Sequence, residues 1–120
     1  MYFIGLDIGT TGCKSVVFDE TGASFGKCYE EFDIICRRPG WAEQSPAIVL
    51  DAVKRVMKES IRQTKEKGAL AEEFSALSIS VLGEEIMPVD KEMRPLRDAI
   101  LGMDYRASEQ TQRLIGKVSA

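Results

Sequence analysis

Chemistry-bearing residues gather in a glycine-containing turn near the start of the chain. Residues 5–12 have the sequence G-L-D-I-G-T-T-G, in which one carboxylate, Asp7, precedes the adjacent hydroxyls of Thr10 and Thr11. A tight turn directs several backbone N–H groups toward one point, which suits anionic phosphate oxygens. A carboxylate at the end of a strand can hold Mg²⁺, directly or through water. The pattern therefore predicts a phosphate site with a magnesium ligand beside it.

Two strands have to position this turn. The apolar residues within 2–6 predict a first strand that is buried on both faces, and residues 16–18 (V-V-F) predict a second strand. Gly9 and Gly12 are expected to adopt backbone conformations that are closed to other residues. A glycine turn between two strands is neither a P-loop nor the G-x-G-x-x-G turn that leads into a helix. The simpler alternative is an ordinary hairpin with a surface aspartate.

Length and composition limit the class of protein. A chain of 120 residues with 44% apolar and 29% charged residues fits one globular domain. The net charge of −3 and the lack of a basic stripe argue against nucleic-acid binding, and no apolar run is long enough for a membrane helix. The sequence has no histidine, which excludes Ser/His/Asp and Cys/His catalysis and zinc bound by histidine.

The cysteines indicate the cellular compartment. Cys13, Cys28 and Cys36 are odd in number and show no C-x-x-C spacing, and the phosphate turn begins too close to Met1 for a signal peptide. Together these features predict reduced thiols in a cytoplasmic protein. Cys13 is expected to be a buried, small apolar residue of the second strand.

One long helix and several further strands are predicted downstream. Ser45 and Pro46 are typical of a helix start, apolar residues then recur at three- and four-residue spacing, and Gly68 suits the C′ position. The other predicted elements are a hairpin turn at 19–22, a third strand at 23–35, a fourth at 77–81, a hairpin of 86–89 with 95–101, and a helix over 105–115. The order is therefore β-β-β-α-β, followed by a hairpin and a helix.

Polar residues follow three of the predicted strands. Asp7 ends the first strand, Gly83 and Glu84 follow the fourth, and Asp104 follows the last. Ligands of α/β sheets bind outside the carboxyl ends of the strands. We therefore expect these residues to converge on one site.

Three segments of the chain resemble the FGGY carbohydrate kinases, a branch of the superfamily that also contains actin and chaperones. They are residues 5–11 (G-L-D-I-G-T-T), residues 39–46 (P-G-W-A-E-Q-S-P) and residues 79–107, where P-L-R-D-A-I and D-Y-R-A are similar to the family pattern R-P-L-x-x-A-I-x-W-x-D-x-R-A. The segments occur in family order and cover nearly the whole chain. The resemblance implies an α/β fold of the ribonuclease-H-like type, in which a β-β-β-α-β core carries an added hairpin and helix.

The resemblance also implies an activity. Family members transfer the γ-phosphate of ATP to a sugar or polyol hydroxyl with Mg²⁺, so Asp7 would place the metal ion and the transferring phosphoryl group. Gly9, Thr10, Thr11 and Lys14 would bind the ATP phosphates. For Lys14 the alternative is an ordinary solvated lysine in a strand. Phosphoryl transfer depends mainly on positioning and charge stabilisation, which suits a carboxylate-held metal.

The same resemblance assigns the sugar side of the site. Gly83 and Glu84 align with the pair that binds sugar hydroxyls, and a carboxylate accepts two such donors. Glycerol kinases carry an arginine at position 83, xylulokinases carry methionine and histidine at 83 and 84, and many members carry a tryptophan where this chain has Gly102. The two glycines remove bulk, so we expect a five- or six-carbon sugar, polyol or aldonate. Asp104 either contacts this substrate or forms an ion pair with Arg106.

Family members are several times longer than this chain, which matches only the start of the first of two domains. The family's catalytic base and adenosine-binding glycines lie in the unmatched part, so residues 1–120 are expected to be inactive alone. The expected partners are the sugar or polyol and the remainder of the kinase chain. The oligomeric state stays open, with a homodimer as one option. The alternative function is a non-catalytic binding or regulatory module, and Trp41, Glu43 and Gln44 are expected to be structural.

Overall fold

Six strands and two α-helices are formed by residues 1–118, the part of the chain that the computed structural model describes. They are β1 (Tyr2–Ile8), β2 (Gly12–Asp19), β3 (Ser24–Glu31), β4 (Glu43–Gln44), α1 (Pro46–Glu66), β5 (Phe74–Val81), β6 (Ala99–Ile100) and α2 (Ser108–Val118). The chain divides into two units, one made of residues 1–33 and 46–83, the other of residues 34–45 and the chain from 84 onward. Within the described part, neither helix is long and apolar enough to cross a membrane.

The first unit contains a four-stranded sheet in the order β3-β2-β1-β5. The first three strands pair antiparallel, whereas the chain returns through α1 and places β5 parallel to β1. This arrangement confirms the predicted β-β-β-α-β order. β3 ends at Glu31, before the predicted residue 35, because Glu31 pairs with Gly12, the first residue of β2, and no partner strand remains beyond it.

Helix α1 covers only one face of this sheet. Along β1, buried Ile4 and Leu6 alternate with half-buried Gly5 and exposed Asp7, so the expectation of a strand buried on both faces is wrong. Burial on both faces requires a layer on each side, and the apolar stripe of α1 packs on one side, against β2 and β3. The core that results consists of Leu6, Cys13, Phe32, Ala52, Val53 and Val56, in which Cys13 is buried as expected.

Helix α1 lies directly against the backbone of β3 at Gly26. A Cβ atom at this position would lie 2.0 Å from the Ser60 carbonyl oxygen and 2.6 Å from Thr64 Oγ1. The hydroxyls of this interface are satisfied, since Ser60 Oγ lies 2.8 Å from Ser15 Oγ and Thr64 Oγ1 donates to the Ser60 carbonyl over 2.8 Å. Small residues therefore allow the helix backbone to approach the strand without leaving buried polar groups unpaired.

Strand β5 forms one edge of the sheet within the described residues. Its side chains on the α1 side, Leu77, Ile79 and Val81, are 46%, 55% and 61% exposed, because the helix packs on β2 and β3 instead. The opposite side, with Ser78 and Ser80, is exposed as well. β5 therefore combines an unpaired edge with an exposed apolar row.

Short strand pairs hold the second unit together. β4 pairs antiparallel with β6, and single bridges join Ile35 to Glu43, Ile86 to Ile100, and Val89 to Pro95. The predicted hairpin of 86–89 with 95–101 is thus present only as bridges and the two residues of β6. Pro88 and Pro95 explain the difference, because proline has no N–H to donate to a continuous ladder.

The last helix, α2, begins at Ser108 and ends at Val118, three residues later at each end than the predicted 105–115. Tyr105 lies in the preceding loop, where its N–H donates to the Gly40 carbonyl over 2.8 Å. The backbone of Tyr105 is therefore engaged across the unit, three residues before the helix begins.

Candidate functional site

Asp7 and Lys14 face each other across the first hairpin of the sheet. The register of β1 and β2 places Asp7 directly opposite Lys14, and both side chains are exposed. The connecting turn is closed by a hydrogen bond of 2.9 Å from the Gly9 N–H to the first carbonyl of β2, with Thr10 and Thr11 at its tip. The residues predicted for the phosphate side therefore all lie in one hairpin.

Lack of room for a side chain, and not an unusual backbone dihedral angle, explains the need for glycine in this turn. Neither Gly9 nor Gly12 has a positive φ, so the expected conformations closed to other residues are not found. Gly12 is instead a point of close approach, since a Cβ atom there would lie 2.7 Å from both the Glu30 carbonyl oxygen and the Tyr29 hydroxyl oxygen. The turn thus excludes a side chain at position 12 because the neighbouring strand β3 lies against it.

A depression of about 260 Å³ lies on the exposed face of the sheet beside this turn. Most of its surface is apolar, from Leu6, Val16 and Phe18. Its polar side chains come from three strands, with Asp7 on β1, Lys14 on β2, and Ser78 and Ser80 on β5. One acid, one base and two hydroxyls can together bind an anionic ligand and its accompanying cation. The depression therefore brings an acid, a base and two hydroxyls of three strands together.

Asp7 offers one carboxylate, and the described residues contain no group of three or more His, Cys, Asp or Glu side chains that could enclose a metal ion. A single carboxylate suits Mg²⁺, which keeps several waters and takes further ligands from phosphate oxygens. It does not suit a metal held by protein alone. Lys14 and the threonine hydroxyls are donors for phosphate oxygens. The residues present therefore fit a phosphate group with its magnesium ion.

The residues predicted for the sugar side are divided between the two units. Gly83 follows β5 in the first unit, and a Cβ atom there would meet nothing within 4 Å. Glu84 and Gly102 are neighbours in the second unit, because a Cβ atom on Gly102 would lie 3.0 Å from Glu84 Oε2 and 3.3 Å from Glu84 Cβ. Gly102 therefore provides the space that the Glu84 side chain occupies. Convergence of the sugar side with the phosphate turn stays a prediction.

Asp104 forms an ion pair with Arg106, one of the two alternatives that the sequence left open. Its side chain is only 2% exposed. Oδ1 accepts the Arg106 backbone N–H over 2.9 Å, and Oδ2 accepts Arg106 Nη2 and the Ala42 N–H, each over 2.7 Å. The hydrogen bond from Arg106 lowers the pKa of Asp104 well below its ordinary value and outweighs the opposing effect of burial. Contact between Asp104 and substrate stays a prediction.

Glu43 is the centre of an ion-pair cluster that sequence reasoning did not find. Its side chain is 2% exposed and accepts hydrogen bonds from Arg37, Arg97 and Arg106. Burial by itself raises the pKa of Glu43, but the hydrogen bonds from the three arginines outweigh it and bring the pKa below its ordinary value. Arg106 also stacks 3.8 Å from the ring centroid of Trp41. Glu43 thus links Arg37 of the preceding loop to Arg97 and Arg106 of the segment after residue 84, which agrees with its expected structural role.

Acid is expected to destabilise the second unit through Glu43 and Asp104. Each carboxylate has a lower pKa when folded than its ordinary value, so its stabilising effect is complete at neutral pH and is lost as the pH falls below about 4. Thermal melts from neutral pH down to about pH 3 measure this loss. Glu43→Gln should lower the melting temperature at neutral pH and weaken its response to acid, whereas the exposed control Glu72→Gln should leave both unchanged. A wild-type melting temperature that does not fall between neutral pH and about pH 3 would contradict this expectation.

Comparison with known proteins finds relatives over nearly the whole chain. A family profile described as "FGGY family of carbohydrate kinases, N-terminal domain" matches residues 2–120. A probable L-xylulose kinase from Haemophilus influenzae is 32% identical over 111 residues, which is 92% of this chain and 22% of that protein. A glycerol kinase from Trichodesmium erythraeum is 30% identical over 120 residues, which is 99% of this chain and 23% of that protein.

The fold is also found in solved structures. A xyloylose kinase from Brucella ovis matches with a TM-score of 0.86 and 28% identity, over 99% of this chain and 24% of that chain. The α/β fold of ribonuclease-H-like type is therefore confirmed. The chain spans less than a quarter of the length of each of these relatives.

Proposed function

Because the chain belongs to the FGGY family of carbohydrate kinases, we propose that it is the N-terminal part of an enzyme that transfers the γ-phosphate of ATP to a sugar or polyol hydroxyl. The observation that carries the proposal is the pair Asp7 and Lys14, which face each other on the strands flanking the glycine turn and line an open depression. The relatives named xylulose kinase and glycerol kinase support a sugar or polyol as the acceptor. The remainder of the kinase chain is the partner that supplies the catalytic base, and the free cysteines support a cytoplasmic location.

In the proposed enzyme, residues of the first unit bind the ATP phosphates and the metal ion. Bound MgATP supplies the phosphoryl group together with a metal ion that neutralises developing negative charge. Asp7 would hold the ion with its exposed carboxylate, while Lys14, Thr10 and Thr11 donate hydrogen bonds to phosphate oxygens around the turn shaped by Gly9. These residues position phosphate and stabilise charge, and none of them takes the proton from the acceptor hydroxyl.

The sugar side of the proposed site depends on Glu84. Its carboxylate accepts hydrogen bonds from substrate hydroxyls, and Gly102 keeps open the space in which that carboxylate lies. Gly83, the last residue of the first unit, adds no side chain. An arginine at position 83 or a tryptophan at position 102 would add bulk that this chain lacks, so the proposed acceptor has five or six carbons. Asp104 supports this region by holding Arg106.

The proposal is tested by sugar-dependent release of ADP from ATP by the full-length gene product. A panel of glycerol, ketoses, polyols and aldonates should give turnover, with five- or six-carbon compounds preferred over glycerol. Residues 1–120 alone should give no turnover, because the catalytic base lies elsewhere. Turnover by residues 1–120 would contradict the assignment of the catalytic base to the remainder of the kinase chain. A reading frame that stops at Ala120 would favour the non-catalytic module, and a preference for glycerol would contradict the substrate assignment.

Replacing Glu84 with glutamine is expected to raise KM for the preferred sugar about tenfold to a hundredfold in the full-length enzyme, because a hydrogen bond to a charged group contributes about 1.5–3 kcal/mol. The KM for ATP should change little. Gly102→Ala should act in the same direction, since its Cβ would lie 3.0 Å from Glu84 Oε2. Glu72→Gln, a change of the same kind at an exposed residue of the first unit, is the matched control. An unchanged sugar KM for Glu84→Gln would remove Glu84 from the site.

A further inference from the structure

A row of polar side chains extends beyond Asp7 and Lys14 across all four strands of the first unit's sheet. The strand registers pair Tyr29 with Lys14, Lys14 with Asp7, and Asp7 with Ser80. All four residues are exposed. Because successive side chains of a strand alternate between its faces, the four share the face that points away from α1. The pair assigned to the phosphate side is therefore flanked by one hydroxyl on each side.

Tyr29 reaches the phosphate turn itself. A Cβ atom on Gly12 would lie 2.7 Å from the Tyr29 hydroxyl oxygen and 2.9 Å from its Cε2 atom, so the ring lies directly against the backbone of Gly12. The side chain is 54% exposed, so core burial does not explain its place. Among the described residues, no hydrogen-bond partner of the Tyr29 hydroxyl is found. The Tyr29 ring is therefore held at the turn, and its hydroxyl donates no hydrogen bond to the described residues.

Ser80 occupies the other flank. It lies next to Asp7 in the parallel register of β1 and β5, and both residues line the same depression of about 260 Å³. Within the described part of the chain, the Ser80 hydroxyl makes no hydrogen bond. A serine hydroxyl can donate to a neighbouring carboxylate while a second oxygen of that carboxylate faces a cation. Such a bond would hold the Asp7 side chain in one orientation.

We propose that the phosphate site spans all four strands, with Tyr29 as a further phosphate-binding residue and Ser80 as a positioning residue that acts through Asp7. The Tyr29 hydroxyl donates a hydrogen bond to a phosphate oxygen at the turn. The Ser80 hydroxyl donates to the Asp7 carboxylate and keeps it directed at the magnesium ion. The inference rests on the proposed function, because it assumes that the turn binds a magnesium nucleotide.

The two roles differ in their dependence on the metal, and this difference is the test. The full-length gene product is titrated calorimetrically with ADP, once with Mg²⁺ and once with a chelator. Tyr29→Phe should weaken ADP binding about tenfold in both conditions, because its contact is with phosphate. Ser80→Ala should weaken MgADP binding about fivefold and leave metal-free ADP unchanged, because it acts through Asp7. Ser80→Thr, which keeps the hydroxyl, should restore MgADP binding.

Matched controls are Tyr105→Phe, a change at a 73% exposed tyrosine, and Ser75→Ala, on β5 outside the depression. Thermal melts of every variant show that the fold is kept. If Tyr29→Phe and Ser80→Ala bind like their controls while Asp7→Asn loses MgADP affinity, the inference is overturned and the proposed function stands. If Asp7→Asn also binds MgADP normally, the phosphate site itself is overturned. Equal loss by Ser80→Ala with and without Mg²⁺ would overturn its action through Asp7.

Discussion

Replacing Asp7 with asparagine is expected to lower kcat of the full-length enzyme about 100-fold or more, the usual result of losing one charge-stabilising group. The asparagine keeps the size of the side chain but removes the negative charge that would hold the magnesium ion. Asp7 is exposed at the depression, opposite Lys14, so the change leaves the core of the sheet intact. The KM for sugar should change little, since that part of the site depends on Glu84.

The matched control for this change is Asp33→Asn. Asp33 is also an exposed aspartate of the first unit, but it lies beyond the end of β3 and does not line the depression. Steady-state kinetics of both variants, together with their thermal melts, separate a loss of chemistry from a loss of folding. Near-normal kcat for Asp7→Asn would return Asp7 to the alternative role of a surface aspartate in an ordinary hairpin.

Gly26→Ala is expected to destabilise the first unit by about 3 kcal/mol or more, the upper part of the range for overpacking. The added Cβ would lie 2.0 Å from the Ser60 carbonyl oxygen, which is backbone of α1 and cannot swing aside. The helix must therefore move away from β3, and this movement would separate Ser60 Oγ from Ser15 Oγ, now 2.8 Å apart. Urea unfolding followed by circular dichroism measures the change in free energy.

Gly116→Ala makes the same chemical change where there is room. A Cβ atom on Gly116 would meet nothing within 4 Å, and the residue lies in α2. Alanine is favoured over glycine in helices by about 1 kcal/mol, so this control should be neutral or stabilising. A Gly26→Ala protein as stable as Gly116→Ala would show that α1 does not rest on β3 at this point.

The first hairpin was the part of the molecule most open to prediction from sequence. A short apolar run, a carboxylate, two glycines and a second β-rich run are all local signals, and β1, β2 and their turn lie where these signals placed them. The reason for Gly12 was predicted incorrectly, because the atoms that exclude a side chain there belong to Glu30 and Tyr29 of β3. Space around a residue depends on the strand beside it, which local sequence does not reveal.

The same limit applies to the residues that sequence reasoning missed. The alternation S-I-S at 78–80 indicates that Ser80 shares a face with Ser78, but only the parallel pairing with β1 brings it beside Asp7. Tyr29 reaches Lys14 through a register that shifts between Val17 and Phe18. A pairing of this kind depends on how distant segments meet. It can therefore be measured from a structure but not read from residue order.

Glu43 illustrates the limit for charges. Its three arginine partners are 6, 54 and 63 residues away in sequence, and the chain contains many other acids and bases that could pair with them. Ion pairs depend on the fold, and the sequence spacing of charged residues does not predict them. The tryptophan and glutamate of the P-G-W-A-E-Q segment were thus recognisable as structural, while the cluster they form was not.

Because β5 is an edge strand of the described sheet, we expect the isolated chain to be a template for strand addition between copies in solution. Among residues 1–118 no strand pairs with the outer side of β5, and Leu77, Ile79 and Val81 add exposed apolar side chains to this strand. Association of this kind starts from the folded chain and needs no prior unfolding. We therefore expect loss of the isolated chain during storage to depend on its concentration more than on its melting temperature, and a lysine on this strand, as in Ile79→Lys, to slow that loss without raising the melting temperature.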